Sequence, residues 1–491
     1  MLQRIISHLP RLSSPNRRRR VIVLGCGWAG FQFLRSMRRQ DYDIVCISPR
    51  NYFLFTPLLA STTVGTLEYR AIIEPVRTLK NLTYYQVDVA GRFHLCRRTL
   101  TCTDAFGKGD RFDINYDDLV IAIGSRSNTF NIPGVEENAF FLKDLVSYSI
   151  GYNAQAMARS IRNRILECFE LACEPRKSPA ERERLTRFVI VGGGPTSVEF
   201  SAELHDFITQ VRCLCSCNQD VKKWFPDVHH EIILIEATDH ILGTFDRRLS
   251  DYATSMFHRR NIQVLTKTHV KEVKPESVLL KDGREITCGM VVWSTGLSPN
   301  PLAQKLPFLR DSRSGRIFVN DHLQVYEADP ASSTAAVSSP NQSIPQSIRI
   351  IPNIFALGDC AVPRDHVTPA TAQVAVQQGK YLASIFNLMS RKDVSIQEEP
   401  DFLAKNLPIT YAKIGMLAYV GSYRALVDLG RFSFPVVVRR VQRDRCGSVG
   451  FLALSLSDQT GEPQKQDTGP NVLVQIVCLR PGHFPILNLP V

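Results

Sequence analysis

The chain has 491 residues, 44% of them hydrophobic, enough to fill cores in about two to four domains, which excludes a mainly disordered protein. Its net charge of +12 is the excess of 59 basic over 47 acidic residues. No recognition module or aromatic-rich basic stripe accompanies that charge, so nucleic acid is not the expected partner. No uncharged apolar run reaches about 18 residues, so any membrane contact is expected to be peripheral.

Much of the positive charge lies at the start, where Arg4, Arg11 and Arg17 to Arg20 stand among Ser, Leu and Ile without an acid. Residues 1–20 therefore read as a mitochondrial targeting peptide, the alternative being a basic tail. The 13 cysteines form no CxxC pair, and Cys213, Cys215 and Cys217 lack the spacing of a zinc knuckle, so neither a metal nor a dithiol relay is expected.

From Val21 an aliphatic strand meets the turn Gly25-Cys-Gly27-Trp-Ala-Gly30 and passes straight into a helix. This is the phosphate cradle of a dinucleotide site: free backbone N–H groups at the helix start face the pyrophosphate, and the glycines allow turn, approach and packing. The second strand, Ile44 to Ile47, ends in Ser48-Pro49-Arg50 where an acidic ribose ligand is usual, which argues against NAD at this first site. The stretch Asn51 to Leu59 is dense in aromatics and reads either as ordinary core or as the wall of a pocket for a planar ring. Residues 80–115 alternate as an antiparallel excursion, and Tyr116 to Gly124 is a further buried strand ending in glycine. Met157, Ile161, Ile165 and Phe169 recur at helical spacing, followed by a charged, proline-punctuated link from Pro175 to Glu183.

A second copy begins at Phe188. Its turn, Gly192-Gly-Gly194-Pro-Thr-Ser197, carries Ser197 at the third glycine position, and Glu199 follows on the helix. The strand Glu231 to Glu236 offers a carboxylate at its end; an interruption over 210–228 accounts for its distance from Gly192, so Glu236 is the expected ribose ligand. Two cradles with different ribose chemistry imply two different dinucleotides. Met290 to Gly296 is another strand-to-glycine junction, and 327–349 reads as a disordered loop. Asp359 then follows the strand Ile354 to Leu357, and Gln373 and Gln377 share one face of the next helix.

Taken together, GCGWAG, GGGPTSVE and FALGDCA resemble the two-dinucleotide-domain flavoprotein reductases. More narrowly, SPRNYFLFTPLL, LEYRAIIEPVR, GGGPTSVEFSAEL, VVWSTGLSPNP and AQVAVQQG resemble the type II NADH:quinone oxidoreductases, also called alternative NADH dehydrogenases, from about Val21 to Leu429. The resemblance implies an α/β fold with two Rossmann-like domains of the flavoprotein disulfide-reductase type, and a C-terminal membrane-associating region. It implies an FAD-binding domain over 21–185 and 297–400, an NADH-binding domain over 186–296, and a C-terminal region over 401–491. Gly25, Gly27, Gly30, Ser48, Arg50, Gly124 and Asp359 would hold FAD; Gly192, Gly194, Glu199, Glu236 and Gly296 would bind or abut NADH. Gln373 and Gln377 match the motif lining the quinone pocket, and Lys413 lies in a family-like stretch.

The implied activity is a rotenone-insensitive, non-proton-pumping transfer of a hydride from NADH to FAD and of two electrons onward to ubiquinone. The implied place is the mitochondrial inner membrane, peripheral and preferably facing the matrix, with pairing into a homodimer. Beyond about Gly430 the resemblance ends: residues 430–491 contain no Trp and are broken by prolines, among them Pro435, Pro463, Pro470, Pro481 and Pro485. Either this is a divergent tail anchoring through Phe432, Phe434 and the arginines at 439–445, or the reading frame or splice form departs from the natural one there. The competing readings are a sulfide:quinone-type oxidoreductase, for which Cys360 lacks a redox partner in sequence, and a non-catalytic NADH-binding flavoprotein.

Overall fold

Aliphatic runs bounded by glycine turns predict parallel strands buried on both faces. The computed structural model describes residues 18–105, 109–142, 154–209, 221–327, 336–337, 349–394, 402–403, 405–412, 415–422, 424–429, 433–441, 451–455 and 475–476. Most of the expected targeting segment and of the 327–349 loop, the cysteines at 213–217, Lys413 and most of the final sixty residues lie outside them. The elements used below begin with β1 (Arg20–Leu24), α1 (Trp28–Ser36), β2 (Asp43–Ile47), β3 (Asp118–Ile121) and α2 (Ala154–Ala172). There follow β4 (Arg187–Val191), α3 (Pro195–Thr209), β5 (Glu231–Ile235), α4 (Arg247–Arg259), β6 (Ile262–Leu265) and β7 (Met290–Trp293). The last are β8 (Ile350–Ala356), α5 (Ala372–Arg391), β9 (Met416–Gly421) and β10 (Arg424–Asp428).

Two compact units form: Met1–Leu54 with Glu74–Arg126 and Ser298–Ala412, and Phe55–Ile73 with Ser127–Leu297 and Lys413–Val491. In the first, β8, β3, β1, β2 and the strand Thr83–Tyr85 lie side by side and parallel. Leu24 pairs with Ile47 and with Ile121, and Ile121 with Ala356, so these strands end flush and their exits at Gly25, Ser48, Ala122 and Leu357 share one edge. A doubly wound sheet holds its ligand at that carboxyl edge. The expected antiparallel excursion is a three-stranded sheet of Val87–His94, Thr99–Asp104 and Arg111–Asn115.

Helix α5 packs closely on α1, since a Cβ on Gly379 would sit 2.6 Å from the Ala29 carbonyl oxygen. Phe33 meets Phe386 edge to face at 5.5 Å, which adds directional aromatic packing to the same seam. Within the aromatic stretch after β2, Tyr52, Phe53 and Leu54 are core residues, and Phe53 stacks on Phe31 with ring centroids 4.7 Å apart, whereas Phe55 and Leu58 are half-buried and Thr56 and Pro57 exposed.

In the second unit β7, β4, β5 and β6 run parallel, and Val191, Ile235, Leu265 and Trp293 end in register. Ile161, Ile165 and Phe169 of α2 are buried as their spacing predicts, with Phe169 against Phe188 and Phe225 at 5.9 and 5.7 Å. Helix α2 thus packs in the second unit, whereas the resemblance grouped residues 127–185 with the first; its apolar stripe matches the β4 side. Part of the segment expected as a link is a short helix, Pro179–Leu185, because Ser178 and Glu181 form a reciprocal capping box and Pro179 stands where no N–H is needed. β9 and β10 pair antiparallel, continuing into the strands Ser433–Val441, Phe451–Ser455 and Gln475–Ile476. Among the described residues no helix is long and apolar enough to cross a membrane.

Candidate functional site

In the first unit Gly25 sits at φ +97°, and a Cβ there would lie 2.3 Å from the Ala122 carbonyl oxygen; only glycine fits. A Cβ on Gly30 would lie 2.1 Å from the Gly25 oxygen, so the third glycine serves helix-on-strand packing. A Cβ on Gly27, by contrast, would meet nothing within 4 Å, and the same holds at Gly124 across the strand edge. The turn is jammed at its base and open where phosphates would lie.

The late motif arrives at the same edge. Gly358 faces Ala29 of α1, with 3.1 Å between its would-be Cβ and the alanine methyl. Asp359, next to it, accepts a hydrogen bond from Ser125 Oγ at 3.0 Å. Ser48 is buried, with its Oγ 3.2 Å from Cys26 Sγ and accepting from the Arg50 N–H at 3.2 Å. Arg50 donates from Nε to the Tyr52 carbonyl and holds its guanidinium over the Tyr52 ring. A hydroxyl and a cation at the strand end, with an open glycine turn and an anchored carboxylate beside it, fit a dinucleotide whose phosphates and polyol need donors and acceptors without an acidic ribose clamp. The residues present fit FAD.

In the second unit the first glycine is again pinned: Gly192 has φ +115°, and a Cβ would lie 2.7 Å from the Ser294 carbonyl oxygen. Gly194, like Gly27, has open space around it. Ser197 occupies the third glycine position, fully buried, and donates to the Ser294 carbonyl at 3.2 Å. Glu236 stands at the end of β5 against the turn, accepting from the Gly193 and Thr238 N–H groups, the latter at 2.7 Å. The carboxylate is thus set beside the turn with its oxygens fixed by backbone donors, which is where a ribose hydroxyl would meet it. At Gly296 a Cβ would strike the Phe130 ring at 2.6 Å; its smallness lets the chain pass close to Asn128, whose carbonyl accepts from Trp293 Nε1 at 2.9 Å.

Glu199, two turns into α3 at most, is half-buried rather than a surface acid. Burial pushes its carboxyl up to about 8, opposed by the Tyr419 N–H at 3.4 Å and assisted by the charge of Glu203. Gln377 makes a two-way amide pair with Ala412, donating to its carbonyl at 2.9 Å and accepting from its N–H at 2.8 Å. Its neighbour Gln378, which sequence reasoning passed over, is fully buried and bridges the late motif to Tyr411: Oε1 accepts from the Gly358 N–H at 2.6 Å and Nε2 donates to the Tyr411 hydroxyl at 3.0 Å. Its adjacency to Gln377 in the AQVAVQQG stretch was the available signal. Cys360 is buried, donates to backbone carbonyls, and burial pushes its thiol to about 11, so it is not poised as a thiolate.

Two phosphate cradles on two parallel sheets, one ending in a hydroxyl and the other in a carboxylate, define a protein built to hold two dinucleotides. The pyridine nucleotide-disulphide oxidoreductase family matches residues 19–379. A probable NADH dehydrogenase of Dictyostelium discoideum is 39% identical over 439 residues, spanning 88% of this chain and 83% of the relative. The mitochondrial internal alternative NAD(P)H-ubiquinone oxidoreductase A1 of Arabidopsis thaliana is 37% identical over 84% of this chain and 75% of its own length. Among solved structures, NDH2 from Plasmodium falciparum in complex with NADH superposes with a TM-score of 0.70 at 26% identity, covering 85% of this chain and 92% of that one. The chain belongs to the pyridine nucleotide-disulphide oxidoreductases and, within them, to the alternative NADH dehydrogenases.

Proposed function

We infer that this chain is a mitochondrial, flavin-dependent NADH:ubiquinone oxidoreductase. NADH is oxidised to NAD⁺, ubiquinone takes up the two electrons, and one further proton from solvent completes the quinol. FAD, when bound, supplies the two-electron redox chemistry that links the two substrates. The observation that carries this reading is the difference between the two cradles, which gives the electron donor and the resident flavin separate and chemically distinct seats.

We assign FAD to the first unit, through Gly25, Gly27, Gly30, Ser48, Arg50, Gly124 and Asp359. NADH goes to the second, through Gly192, Gly194, Glu236 and the packing that Gly296 allows. Glu236 favours NADH over NADPH because a carboxylate bonds a free 2'-hydroxyl and repels a 2'-phosphate. Glu199 lies near the helix start that faces the pyrophosphate. Kept neutral, it spares NADH a like charge; ionised, it repels the phosphates. Gln373 and Gln377 address the quinone carbonyls from one face of α5, Gln377 through the donor left over from its pair with Ala412. Gln377→Ala is expected to raise the quinone KM about tenfold, the loss of one hydrogen bond, while flavin reduction by NADH in single-turnover experiments is unchanged. The same reading docks the chain peripherally on the inner membrane, matrix side, through the 401–491 region as a homodimer; vesicle flotation and sedimentation equilibrium test both parts.

The deciding experiment is NADH-dependent ubiquinone reduction by FAD-loaded protein, repeated with Glu236→Ala. Hydrogen bonds to a charged group contribute about 1.5–3 kcal/mol, so NADH affinity is expected to fall about tenfold to a hundredfold with bound flavin retained. Loss of flavin instead would reverse the two assignments.

A further inference from the structure

One residue reaches two acids on the same helix, one by its backbone and one by its side chain. Tyr419 of β9 lies along α3, with its backbone N–H directed to Glu199 Oε1 at 3.4 Å and its hydroxyl donating to Asp206 Oδ2 at 2.9 Å. Glu199 and Asp206 are seven residues apart, two helical turns, and so lie on one face. At the far end the contact is locked. Asp206 Oδ2 also accepts from the Ser422 N–H at 2.8 Å, and Arg260, at the end of α4, holds Nη1 3.6 Å from Asp206 Oδ1.

The lock is dry. The Asp206 and Arg260 side chains are 9% and 8% exposed, and the guanidinium lies against Gly421, where a Cβ would sit 1.8 Å from Nη1. With φ +85°, that turn is restricted to glycine in both conformation and space. A buried ion pair of this kind is weak evidence for stability, because desolvation offsets its attraction; the geometry is fixed by the two hydrogen bonds on Asp206 Oδ2, from the Tyr419 hydroxyl and the Ser422 N–H, with the guanidinium charge beside them. What these fix is the β9–β10 turn on α3, and with it the backbone that covers Glu199.

We propose that Asp206, Arg260 and Tyr419 form a positioning device for Glu199, clamping β9 over the helix so that the Glu199 carboxyl is shielded from much of the solvent beside the NADH cradle. This deepens the reading of Glu199 given above and rests on it. The titratable or charged groups tied to Glu199 and Asp206 among the described residues are Glu203, His205, Tyr419 and Arg260. Glu203 accepts from Ser61 Oγ at 2.7 Å and Thr66 Oγ1 at 3.1 Å, and His205 Nδ1 lies 3.7 Å from Asp206 Oδ1. Of these Glu203 is the one whose charge bears directly on Glu199. With the clamp closed, Glu199 stays neutral up to about pH 8; loosening β9 admits water and lets it ionise at lower pH.

The test is NADH affinity of the FAD-loaded full chain as a function of pH, for the parent, Glu199→Gln, Tyr419→Phe and Asp206→Asn. In the parent, affinity falls as pH rises through about 8. Glu199→Gln abolishes that fall, whereas Tyr419→Phe and Asp206→Asn keep it but move it about one pH unit or more toward acid, the direction that hydration of a carboxyl dictates. A merely structural role would lower the melting temperature and leave the pH midpoint in place, and that result overturns the proposal. A fall that persists in Glu199→Gln instead overturns the role given to Glu199. Tyr419→Phe deletes a single hydroxyl, so it decides the matter alone should Asp206→Asn fail to fold.

Discussion

The two glycine turns of this chain pin and open the same backbone positions, and two of their differences matter most. In both, the first glycine is pressed against a carbonyl oxygen, of Ala122 in one unit and Ser294 in the other, and a later glycine faces open space. They part company at the third position, Gly30 against Ser197, and at the end of the second strand, Ser48 against Glu236. Phosphate recognition, supplied by N–H groups and a helix end, is common property; identity of the nucleotide is carried by what the neighbouring strand presents. A duplicated frame can therefore hold two cofactors of unlike ribose chemistry without altering its cradle.

The comparison breaks most sharply at its shared base. Gly25→Ala forces a left-handed conformation on a residue with a Cβ and sets that Cβ against backbone on the facing strand, where nothing can swing aside. Strain of this kind costs about 1–3 kcal/mol before the clash is counted. The purified variant is expected to carry no flavin absorbance and to melt well below the parent.

Gly27→Ala and Gly194→Ala sharpen the point. Neither Cβ meets any protein atom within 4 Å, so each variant is expected to keep the melting temperature of the ligand-free protein. Each methyl instead enters the space a phosphate would take. Calorimetry should find FAD affinity reduced in Gly27→Ala alone and NADH affinity reduced in Gly194→Ala alone. A variant that loses both ligands would mean the two cradles are not independent seats.

Much of this was legible in the residues because glycine and aliphatic periodicity are local signals. The strand–turn–helix units at Val21 and Phe188, the antiparallel excursion and the helix carrying Gln373 could all be placed from short-range pattern. The Glu236 position was legible too, once the inserted segment before it was subtracted. What stayed hidden depends on the meeting of distant segments. Nothing near Asp206 announces Arg260 or Tyr419, which lie 54 and 213 residues onward (260 less 206, 419 less 206). Gln378 looked like a redundant neighbour of Gln377, and only the register of α5 against the late motif distinguishes the buried amide from the half-buried one. The aromatic run after β2 was ambiguous between wall and core because both demand the same composition; packing against Phe31 and Trp28 places Phe53 in the core, while Phe55 and Leu58 stay half-buried.

The smallest expected effect tests the third position. Ser197 fills a site where the first turn has glycine, and its hydroxyl is spent on the Ser294 carbonyl while its own carbonyl accepts from Ser201 Oγ at 2.8 Å. If that serine is packing, then Ser197→Ala loses one buried hydrogen bond, about 0.5–1.5 kcal/mol, and leaves the Ser294 oxygen short of a partner. The melting temperature should drop by a few degrees at most, since a 1 kcal/mol change moves domains of this size by about 2–4 °C. NADH affinity should stay within about twofold, because no ligand atom is needed to explain where the hydroxyl points. An unchanged melting temperature with affinity down tenfold would show instead that the hydroxyl turns toward the nucleotide when NADH binds. The two turns would then differ in how they grip phosphate as well as ribose, and the equivalence drawn between Gly30 and Ser197 would fail.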